Sequence, residues 1–338
     1  MPSAAAKPDP KLTIIQEPPV FLNLPASVDR AIARVDALAR AGTDIVVFGE
    51  SWLPGYPVWL DSAPEAAFWD HAGAKALFRV LSENSITAGD EHLTALQQAS
   101  DAHDVIIVMG AHERTGGTLY NTTFTFLPGA EAPMLHRKLT PTYTERLVWG
   151  VGDGSTLRAA ETRFGVLGGL ICWEHWMPEA RAAMHAQHET IHTAQWPWVK
   201  EMHTLASRTY AFEGRCFVAA AGTWLTKNDV LTGFDSLGAD APLARDLLAA
   251  MPGDDGTTIL EGGSAIIGPD GFYLAGPRTE SADAVSATLP LADLREGNLT
   301  LDVAGHYSRP DIFQLTVNTE PRPGVLFSKS EAPNDGAS

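Results

Sequence analysis

The sequence has very few cysteines. Only Cys172 and Cys216 occur in 338 residues, too few for the disulfide framework typical of small secreted proteins. Residues 1–10 also lack an apolar core of signal-peptide length. We therefore expect a protein of the reducing cytoplasm, and we predict that residues 1–10 are a disordered N-terminal segment.

Long apolar runs and positive charge are also scarce. The longest nearly unbroken apolar run, residues 164–173, is far shorter than the roughly 18–20 residues that span a bilayer. Lys and Arg total 24 against 41 Asp and Glu, so the net charge is −17. That charge argues against nucleic acid or an anionic membrane as a partner. With 45% hydrophobic and 19% charged residues, the composition is that of a globular protein.

The motifs of several enzyme classes are missing. The chain contains no GxGxxG, GxxxxGKS/T or GxSxG pattern, so nucleotide-cofactor and serine-hydrolase functions lack their main sequence support. It also contains no Cys/His tetrad, and its single HExxH match, HETIH at residues 188–192, lies after a predicted helix rather than within one. The closely spaced His185, His188 and His192 fit ordinary residues of a polar helix and the segment after it. We expect neither a metal nor an organic cofactor.

Strand and helix patterns alternate along the chain. The predicted strands cover residues 12–16, 44–49, 105–109, 119–127, 134–139, 164–171, 191–194, 216–221, 264–268, 272–275 and 285–289. The predicted helices run from a Ser27 cap to Gly42 and over residues 91–100, 178–187 and 203–214. This mixture favours an α/β fold in which helices cover a sheet.

Two cysteines are candidates for nucleophilic chemistry, and their settings differ. Cys172 lies between a buried strand and a helix start, where free N–H groups and the helix dipole favour a thiolate. The alternative is a small buried hydrophobic residue, which is the usual role of a free cysteine. Cys216 lies inside a predicted strand, and there the structural role is preferred.

Three charged residues are further candidates. Glu50 ends an apolar strand beside an aromatic loop, where desolvation raises the pKa of a carboxyl group and suits a general base. Lys138 ends another strand, and Glu145 follows it with Arg146 alongside. Each of the three also has an ordinary interpretation, as a solvated acid, a surface cation or a member of a surface ion pair.

Taken together, these residues resemble the nitrilase branch of the carbon–nitrogen hydrolase superfamily. The resemblance rests on Glu50 in FGESWLPGYP, Lys138 in HRKLTPTYTERLVWGVGDGS and Cys172 in GGLICWEHWMP, and it covers about residues 10–320. It implies an α/β fold, a four-layer α-β-β-α sandwich. It also implies a single domain over residues 11–320, with a C-terminal interface segment from about residue 295. The low-complexity end of the sequence predicts a flexible tail over 321–338.

The resemblance also implies roles for these residues. Cys172 would be the nucleophile, Glu50 the general base, Lys138 the cationic stabiliser, and Glu145 an aid to positioning and proton handling. The Cys-Trp-Glu sequence at 172–174 favours nitrilases over the amidase branch, whereas Gly49 stands where many relatives have proline. Homo-oligomers, either dimers or larger spirals, are implied as well.

Aromatic residues in and beside these motifs are candidates for the walls of a substrate pocket. We expect Tyr56, Trp173, Trp196 and Trp198 to contact the organic part of a nitrile, with core packing as the alternative. The predicted reaction is hydrolysis of a small-molecule nitrile to a carboxylic acid and ammonia through a covalent cysteine intermediate. An aliphatic amidase or a cyanide-hydrolysing enzyme with the same residues is the first alternative, and a non-catalytic interaction scaffold is the second.

Overall fold

The computed structural model describes residues 9–322. The ends predicted to be disordered or flexible, 1–10 and 321–338, lie outside the described residues except for 9, 10, 321 and 322. Within the described part, no helix is both long and apolar enough to cross a membrane.

Strands and helices alternate along the described chain. The strands are β1 (Lys11–Ile15), β2 (Ile45–Phe48), β3 (Ile86–Thr87), β4 (Ile106–Thr115), β5 (Thr118–Phe126), β6 (Met134–Arg137), β7 (Ala160–Thr162), β8 (Gly165–Ile171), β9 (Ile191–Gln195), β10 (Phe217–Ala221), β11 (Trp224–Thr226), β12 (Thr258–Glu261), β13 (Ser264–Ile267), β14 (Tyr273–Arg278) and β15 (Val285–Thr288). The α-helices are α1 (Leu24–Arg40), α2 (Trp59–Ser62), α3 (Ala72–Glu83), α4 (Glu91–His103), α5 (Pro178–His185), α6 (Glu201–Gly214), α7 (Lys227–Ser236), α8 (Pro242–Ala249) and α9 (Ala292–Gly297). Short 3-10 helices cover Tyr143–Leu147, Gly154–Thr156 and Cys172–Trp176.

Most of the strands form two mixed sheets. One has the order β15-β1-β2-β4-β5-β6, in which β1, β2 and β4 are parallel and β3 pairs with β4. The other has the order β14-β13-β10-β9-β8-β7, in which β8, β9 and β10 are parallel. Strands β11 and β12 pair separately. In both sheets the parallel strands are therefore central, and their carboxyl ends share one edge.

The inner faces of the two sheets pack against each other. Ile45 and Val47 on β2 belong to the same buried cluster as Leu167 on β8 and Phe217 on β10. Successive side chains of a strand point to opposite faces. The alternate residues of β2, Val46 and Phe48, therefore lie on the outer face, in a cluster with α1 and α4. A strand buried on both faces reads as a continuous apolar run, as β2 does in IVVF.

The second sheet is covered in the same way. Ala194 of β9 and Val218 of β10 share a buried cluster with Met184 of α5 and with Ala206 and Tyr210 of α6. The molecule thus has four layers, helix, sheet, sheet and helix, and the predicted α-β-β-α sandwich is confirmed.

Several predicted helix boundaries need correction, including the end of α4, at His103 rather than 100, and the start of α6, at Glu201 rather than 203. Helix α1 begins at Leu24 and is capped by Asn23, whose side chain accepts a hydrogen bond from the Ala26 N–H. Ser27, the predicted cap, lies inside the helix, and its hydroxyl donates to the Val20 carbonyl instead. Helix α5 begins at Pro178 as predicted, but it ends at His185, two residues before the expected 187.

Candidate active site

Three of the predicted residues lie where strands end. Glu50 follows β2, Lys138 follows β6 and Cys172 follows β8, so both sheets contribute. The backbone N–H of Glu50 donates to the carbonyl of Trp196 at 3.2 Å, and this bond joins the two sheets at their shared edge. Residues far apart in sequence therefore meet because the strands that precede them end at the same place.

Lys138 lies between two carboxylates. Its Nζ donates to Glu50 Oε1 and to Glu145 Oε2, each at 2.7 Å. Cys172 Sγ and one carboxylate oxygen of each glutamate all lie within 4.8 Å of one another. The side chains of Glu50 and Lys138 are fully buried. The structure therefore brings Glu50, Lys138, Glu145 and Cys172 into one cluster, in which the lysine supplies the cation between the acids.

The two oxygens of Glu50 differ. Oε1 accepts from Lys138 Nζ and from Asn121 Nδ2, both at 2.7 Å. Oε2 is buried and has no hydrogen-bond partner among the residues the structure describes. Both Glu145 oxygens, by contrast, are occupied: Tyr56 donates to Oε1, and the Thr142 N–H and Lys138 donate to Oε2. Glu50 Oε2 is therefore the carboxylate atom best placed to take up a proton.

The cluster changes the protonation of its members. Burial raises the pKa of Glu50 from 4.5 to about 7, against the lowering effect of the Lys138 charge. Burial and the Glu50 charge raise the pKa of the Cys172 thiol well above 9.0, again against Lys138. Burial disfavours the charged form of Lys138, but the negative groups around it outweigh burial and raise its pKa. In the resting protein the thiol thus holds its proton beside a base that titrates near neutrality.

The backbone at Cys172 is turned sharply. Its φ is 54°, in the left-handed region that non-glycine residues rarely adopt and that costs about 1–3 kcal/mol. The expected effect of a helix N-terminus on Cys172 needs correction, because Cys172 begins a short 3-10 helix and α5 starts six residues later, at Pro178. The favourable charge near the sulfur therefore comes from Lys138, since the helix dipole acts only within a helix's first turn.

Glu174 links two of the strand ends. Its carboxylate accepts from the backbone N–H groups of Leu139 at 2.7 Å and Ile171 at 2.6 Å, next to Lys138 and Cys172. It also accepts from His136 Nε2 at 3.0 Å. Burial opposes its charge, but the His136 charge and these donors outweigh burial and lower the pKa of Glu174. Glu174 thus fixes the position of the lysine relative to the cysteine.

A cavity of about 610 Å³ opens in front of Cys172. Tyr56, Trp173 and Trp198 line it, together with Glu145 and apolar side chains of β12. Trp173 is 52% exposed, so much of its ring is free to contact a ligand. Tyr56 also donates its hydroxyl to Glu145 Oε1 at 2.9 Å, which connects the cavity wall to the charged cluster.

Trp196 does not line this cavity, contrary to expectation. Its side chain is fully buried and lies between the rings of His175 and His203, at centroid distances of 4.9 and 4.3 Å. The chain bends at Pro197 and Trp198, so residues 196 and 198 do not share a face as they would in a straight strand. Trp196 instead contributes its carbonyl, which accepts from the Glu50 N–H.

The sequence prediction did not include Asn121. This residue lies in β5 and is 1% exposed. Asparagine is depleted in strands, and a buried one in an otherwise apolar and threonine-rich strand is a signal that could have identified it. His185, His188 and His192, which were expected to be ordinary residues, lie in α5, in the turn after it and in β9, and the ligand-like cluster among residues 9–322 is Glu50, Glu145 and Cys172.

The chain is similar to known proteins over most of its length. The family model described as carbon-nitrogen hydrolase matches residues 11–298. A nitrilase of Pseudomonas syringae pv. syringae is 36% identical over 330 residues, covering 94% of this chain and 92% of the relative. An aliphatic nitrilase of Sinorhizobium fredii is 33% identical and covers 94% of this chain and 98% of the relative. The crystal structure of Saccharomyces cerevisiae Nit3 has a TM-score of 0.65 at 15% identity, covering 90% of this chain and 99% of that one.

Proposed function

The chain belongs to the carbon–nitrogen hydrolase family and is a nitrilase, and from that premise we propose that Cys172, Glu50, Lys138 and Glu145 hydrolyse an organic nitrile through covalent intermediates. The observation that carries this proposal is the arrangement around Lys138, whose ammonium bonds both carboxylates beside the buried thiol. A protein that needed only a stable core would gain little from four buried polar groups, because burying charge is costly.

The first step forms a bond between sulfur and the nitrile carbon. Glu50 Oε2 takes the thiol proton as Cys172 Sγ attacks, since a neutral thiol is a poor nucleophile. The electron pair of the broken C–N π bond goes to the nitrogen, which takes a proton from Glu50 to give a thioimidate. Well-placed proton transfer of this kind contributes about 10²–10⁴-fold to the rate.

Two waters complete the hydrolysis. The first loses a proton to Glu50 and adds to the thioimidate carbon, and ammonia leaves after nitrogen is protonated, giving a thioester. The second adds to the thioester carbon and releases the carboxylic acid, while the proton returns to the sulfur. Lys138 and the backbone N–H of Trp173 stabilise the negative charge that develops on substrate nitrogen and then oxygen. Glu145 holds Lys138 and Tyr56 in position.

The organic part of the substrate is proposed to bind against aromatic side chains. Tyr56, Trp173 and Trp198 line the cavity in front of the sulfur, and their rings supply apolar area for it. Trp196 contributes through its carbonyl and through packing, not through direct contact with the substrate.

The test is turnover of a panel of nitriles and of the matching amides, combined with intact-protein mass spectrometry. We expect the wild type to release acid and ammonia from nitriles and to show an adduct that is absent from Cys172→Ala. Cys216→Ala is the matched control, because Cys216 is also buried but lies just before β10, at the amino-terminal ends of the parallel strands, whereas Cys172 lies at their carboxyl-terminal ends. It should retain both activity and adduct. Turnover of amides without nitriles would favour the amidase alternative and contradict this proposal.

We also propose that the protein is a cytoplasmic homo-oligomer. The outer face of α6 exposes Leu205 and Phe212, and the segment beyond residue 295 exposes Phe313 and Leu315. Large exposed apolar patches on a soluble protein mark interaction sites. Light scattering after size-exclusion chromatography should give a mass of at least two chains, and Leu205→Glu should lower it. A wild type that elutes as a monomer at micromolar concentration would contradict this proposal.

A further inference from the structure

A chain of buried hydrogen bonds lies behind the nucleophile, on the side away from the cavity. His175 Nδ1 lies 2.7 Å from the carbonyl oxygen of Cys172, and His175 Nε2 lies 3.0 Å from His192 Nε2. His192 Nδ1 lies 2.8 Å from Glu189 Oε1, and the Tyr210 hydroxyl donates to Glu189 Oε2. These four side chains are each at most 6% exposed, and the mechanism above does not use them. We call them the histidine chain.

The groups at the two ends of the histidine chain, the Cys172 carbonyl and the Tyr210 hydroxyl, determine which atoms donate and which accept. The Cys172 carbonyl only accepts, so His175 Nδ1 carries a hydrogen and donates to it. Burial and the His192 charge lower the pKa of His175 well below 6.5, so His175 is neutral and its Nε2 accepts from His192 Nε2–H. The bond between His192 Nδ1 and Glu189 then requires one further proton, shared by that pair. Burial and the Glu189 charge keep the Tyr210 hydroxyl protonated by raising its pKa.

The surrounding strands make room for this arrangement. A Cβ at Gly168 on β8 would lie 1.8 Å from Glu189 Oε1, so a larger residue there would displace the carboxylate. The Tyr210 ring stacks on the His192 ring with a centroid distance of 3.7 Å. The His175 ring packs against Trp196, whose carbonyl holds Glu50. The histidine chain is therefore rigid and continuous with the catalytic cluster.

The carbonyl that receives this support belongs to the peptide between Cys172 and Trp173. A trans peptide is planar, so its C=O and N–H point in opposite directions. Fixing the carbonyl toward His175 fixes the Trp173 N–H on the opposite side, away from the histidine chain. Successive hydrogen bonds also polarise one another, which strengthens the N–H as a donor. Cys172, whose carbonyl accepts this bond, is also the residue with the left-handed φ of 54°.

We propose that the histidine chain, through His175, positions the Cys172–Trp173 peptide so that its N–H stabilises the charge that develops on the substrate. These are positioning residues and do not touch the substrate. The inference rests on the proposed function and deepens it, since it states what holds the N–H donor of that mechanism. It also explains why a layer remote from the cavity contains four buried polar side chains.

The test compares nitrile hydrolysis with alkylation of Cys172 by iodoacetamide. Alkylation needs the sulfur and its base, but no charge develops on a substrate nitrogen or oxygen. We expect His175→Leu to lower kcat about 100-fold, the loss typical of one such donor, with KM changed less than about threefold. The alkylation rate of Cys172 should stay within about twofold of wild type. His175→Asn, whose amide replaces the Nδ1 donor, should recover kcat to within about tenfold of wild type.

Two further variants separate positioning from general damage. Tyr210→Phe keeps the stacked ring and removes only the hydroxyl at the far end, so kcat should fall up to about tenfold, in line with the loss of one hydrogen bond. His185→Leu is the matched control: the His185 ring lies 4.4 Å from that of Tyr210, but neither of its nitrogens has a hydrogen-bond partner among residues 9–322. It should leave kcat unchanged.

The outcomes distinguish this inference from the proposed function. If the wild type hydrolyses nitriles but His175→Leu keeps its kcat, only the inference is overturned. A parallel fall of alkylation and kcat overturns it too, because that result means general distortion of the cysteine. If His175→Leu does not fold, Tyr210→Phe decides: unchanged kcat overturns the inference, and a fall with normal alkylation supports it. A wild type inactive on every nitrile overturns both.

Discussion

Lys138 Nζ lies 2.7 Å from Glu50 Oε1, and the side chains of both residues are fully buried. Two buried charges are each expensive to remove from water, and only their mutual attraction and their other hydrogen bonds offset that cost. Because Glu145 also bonds Lys138, the cluster holds one cation between two acids. Its stability and its reactivity therefore depend on the same ammonium group.

Removing the Lys138 ammonium should damage both stability and activity. Lys138→Met leaves two buried carboxylates without their cation, and we expect a loss of about 3–5 kcal/mol in the free energy of unfolding, measured by urea denaturation. Lys138→Met combined with Glu145→Gln should recover part of this stability but none of the activity. If the double variant is no more stable than the single one, repulsion between the two acids is not the cause.

The pH dependence of kcat/KM should report on Glu50. Its pKa is about 7, and only the ionised carboxylate accepts the thiol proton, so kcat/KM should rise with pH and level off above about 7. The Asn121 hydrogen bond stabilises the ionised form. Asn121→Ala should therefore shift the acidic limb to higher pH. A limb that stays in place in Asn121→Ala would mean that another group controls it.

Much of the active site is predictable from the sequence, because a polar residue that follows an apolar run marks the end of a buried strand. Glu50 and Cys172 follow strands whose apolar pattern is plain, whereas Lys138 follows MLHR, which is half polar. The resemblance to nitrilases joins the three residues into one site. The sequence around Glu50 does not show which of its two carboxylate oxygens lacks a hydrogen-bond partner. That depends on Asn121, which lies in another strand and donates to Oε1. Trp196 and Trp198 show the same limit, because a bend at Pro197 separates two similar residues.

Helices α3 and α7 are harder to predict from the sequence, because glycines and an unusual cap weaken their local patterns. Helix α7 was not predicted because Gly233 interrupts its pattern, although Thr226 and Asp229 form a capping box that marks its start. Helix α3 contains Gly73 in its first turn, and its cap is His71, a residue type outside the usual N-cap set. These helices surround a separate apolar cluster with Trp59, and that packing stabilises them more than their helix propensity does.

Gly49 should be required by close packing between the two sheets. A Cβ at this position would lie 2.7 Å from Thr223 Oγ1 and 3.4 Å from the carbonyl oxygen of Trp196. Gly49→Ala should therefore cost about 1–3 kcal/mol in unfolding free energy and reduce activity, because Glu50 is the next residue. Thr223→Ala removes the closer atom. The double variant should be less destabilised than the sum of the single variants, whereas simple additivity would show that the threonine is not the obstacle.

Glu174 and His136 should make stability depend on pH. The pKa of Glu174 is lowered, so its contribution is complete above its ordinary value of 4.5 and is lost as the pH falls through the lowered value. Burial opposes the charge on His136, but Glu174 outweighs it and raises the pKa, so that contribution is complete below 6.5 and is lost as the pH rises through the raised value. Both contributions to the free energy of unfolding are therefore complete between pH 4.5 and pH 6.5.

Glu174→Gln should accordingly destabilise the protein most near pH 5–6.5, by about 3–5 kcal/mol, because it breaks the buried pair with His136. The amide also has only one oxygen to accept from the Leu139 and Ile171 N–H groups. The difference in unfolding free energy from wild type should shrink toward acid pH. Glu83→Gln breaks an exposed helix pair with Arg79 and is the matched control, with an expected cost of about 0.3–0.5 kcal/mol. A Glu174→Gln penalty that is constant from pH 3 to 8 would mean that Glu174 acts through shape and hydrogen bonding alone, without the ion pair.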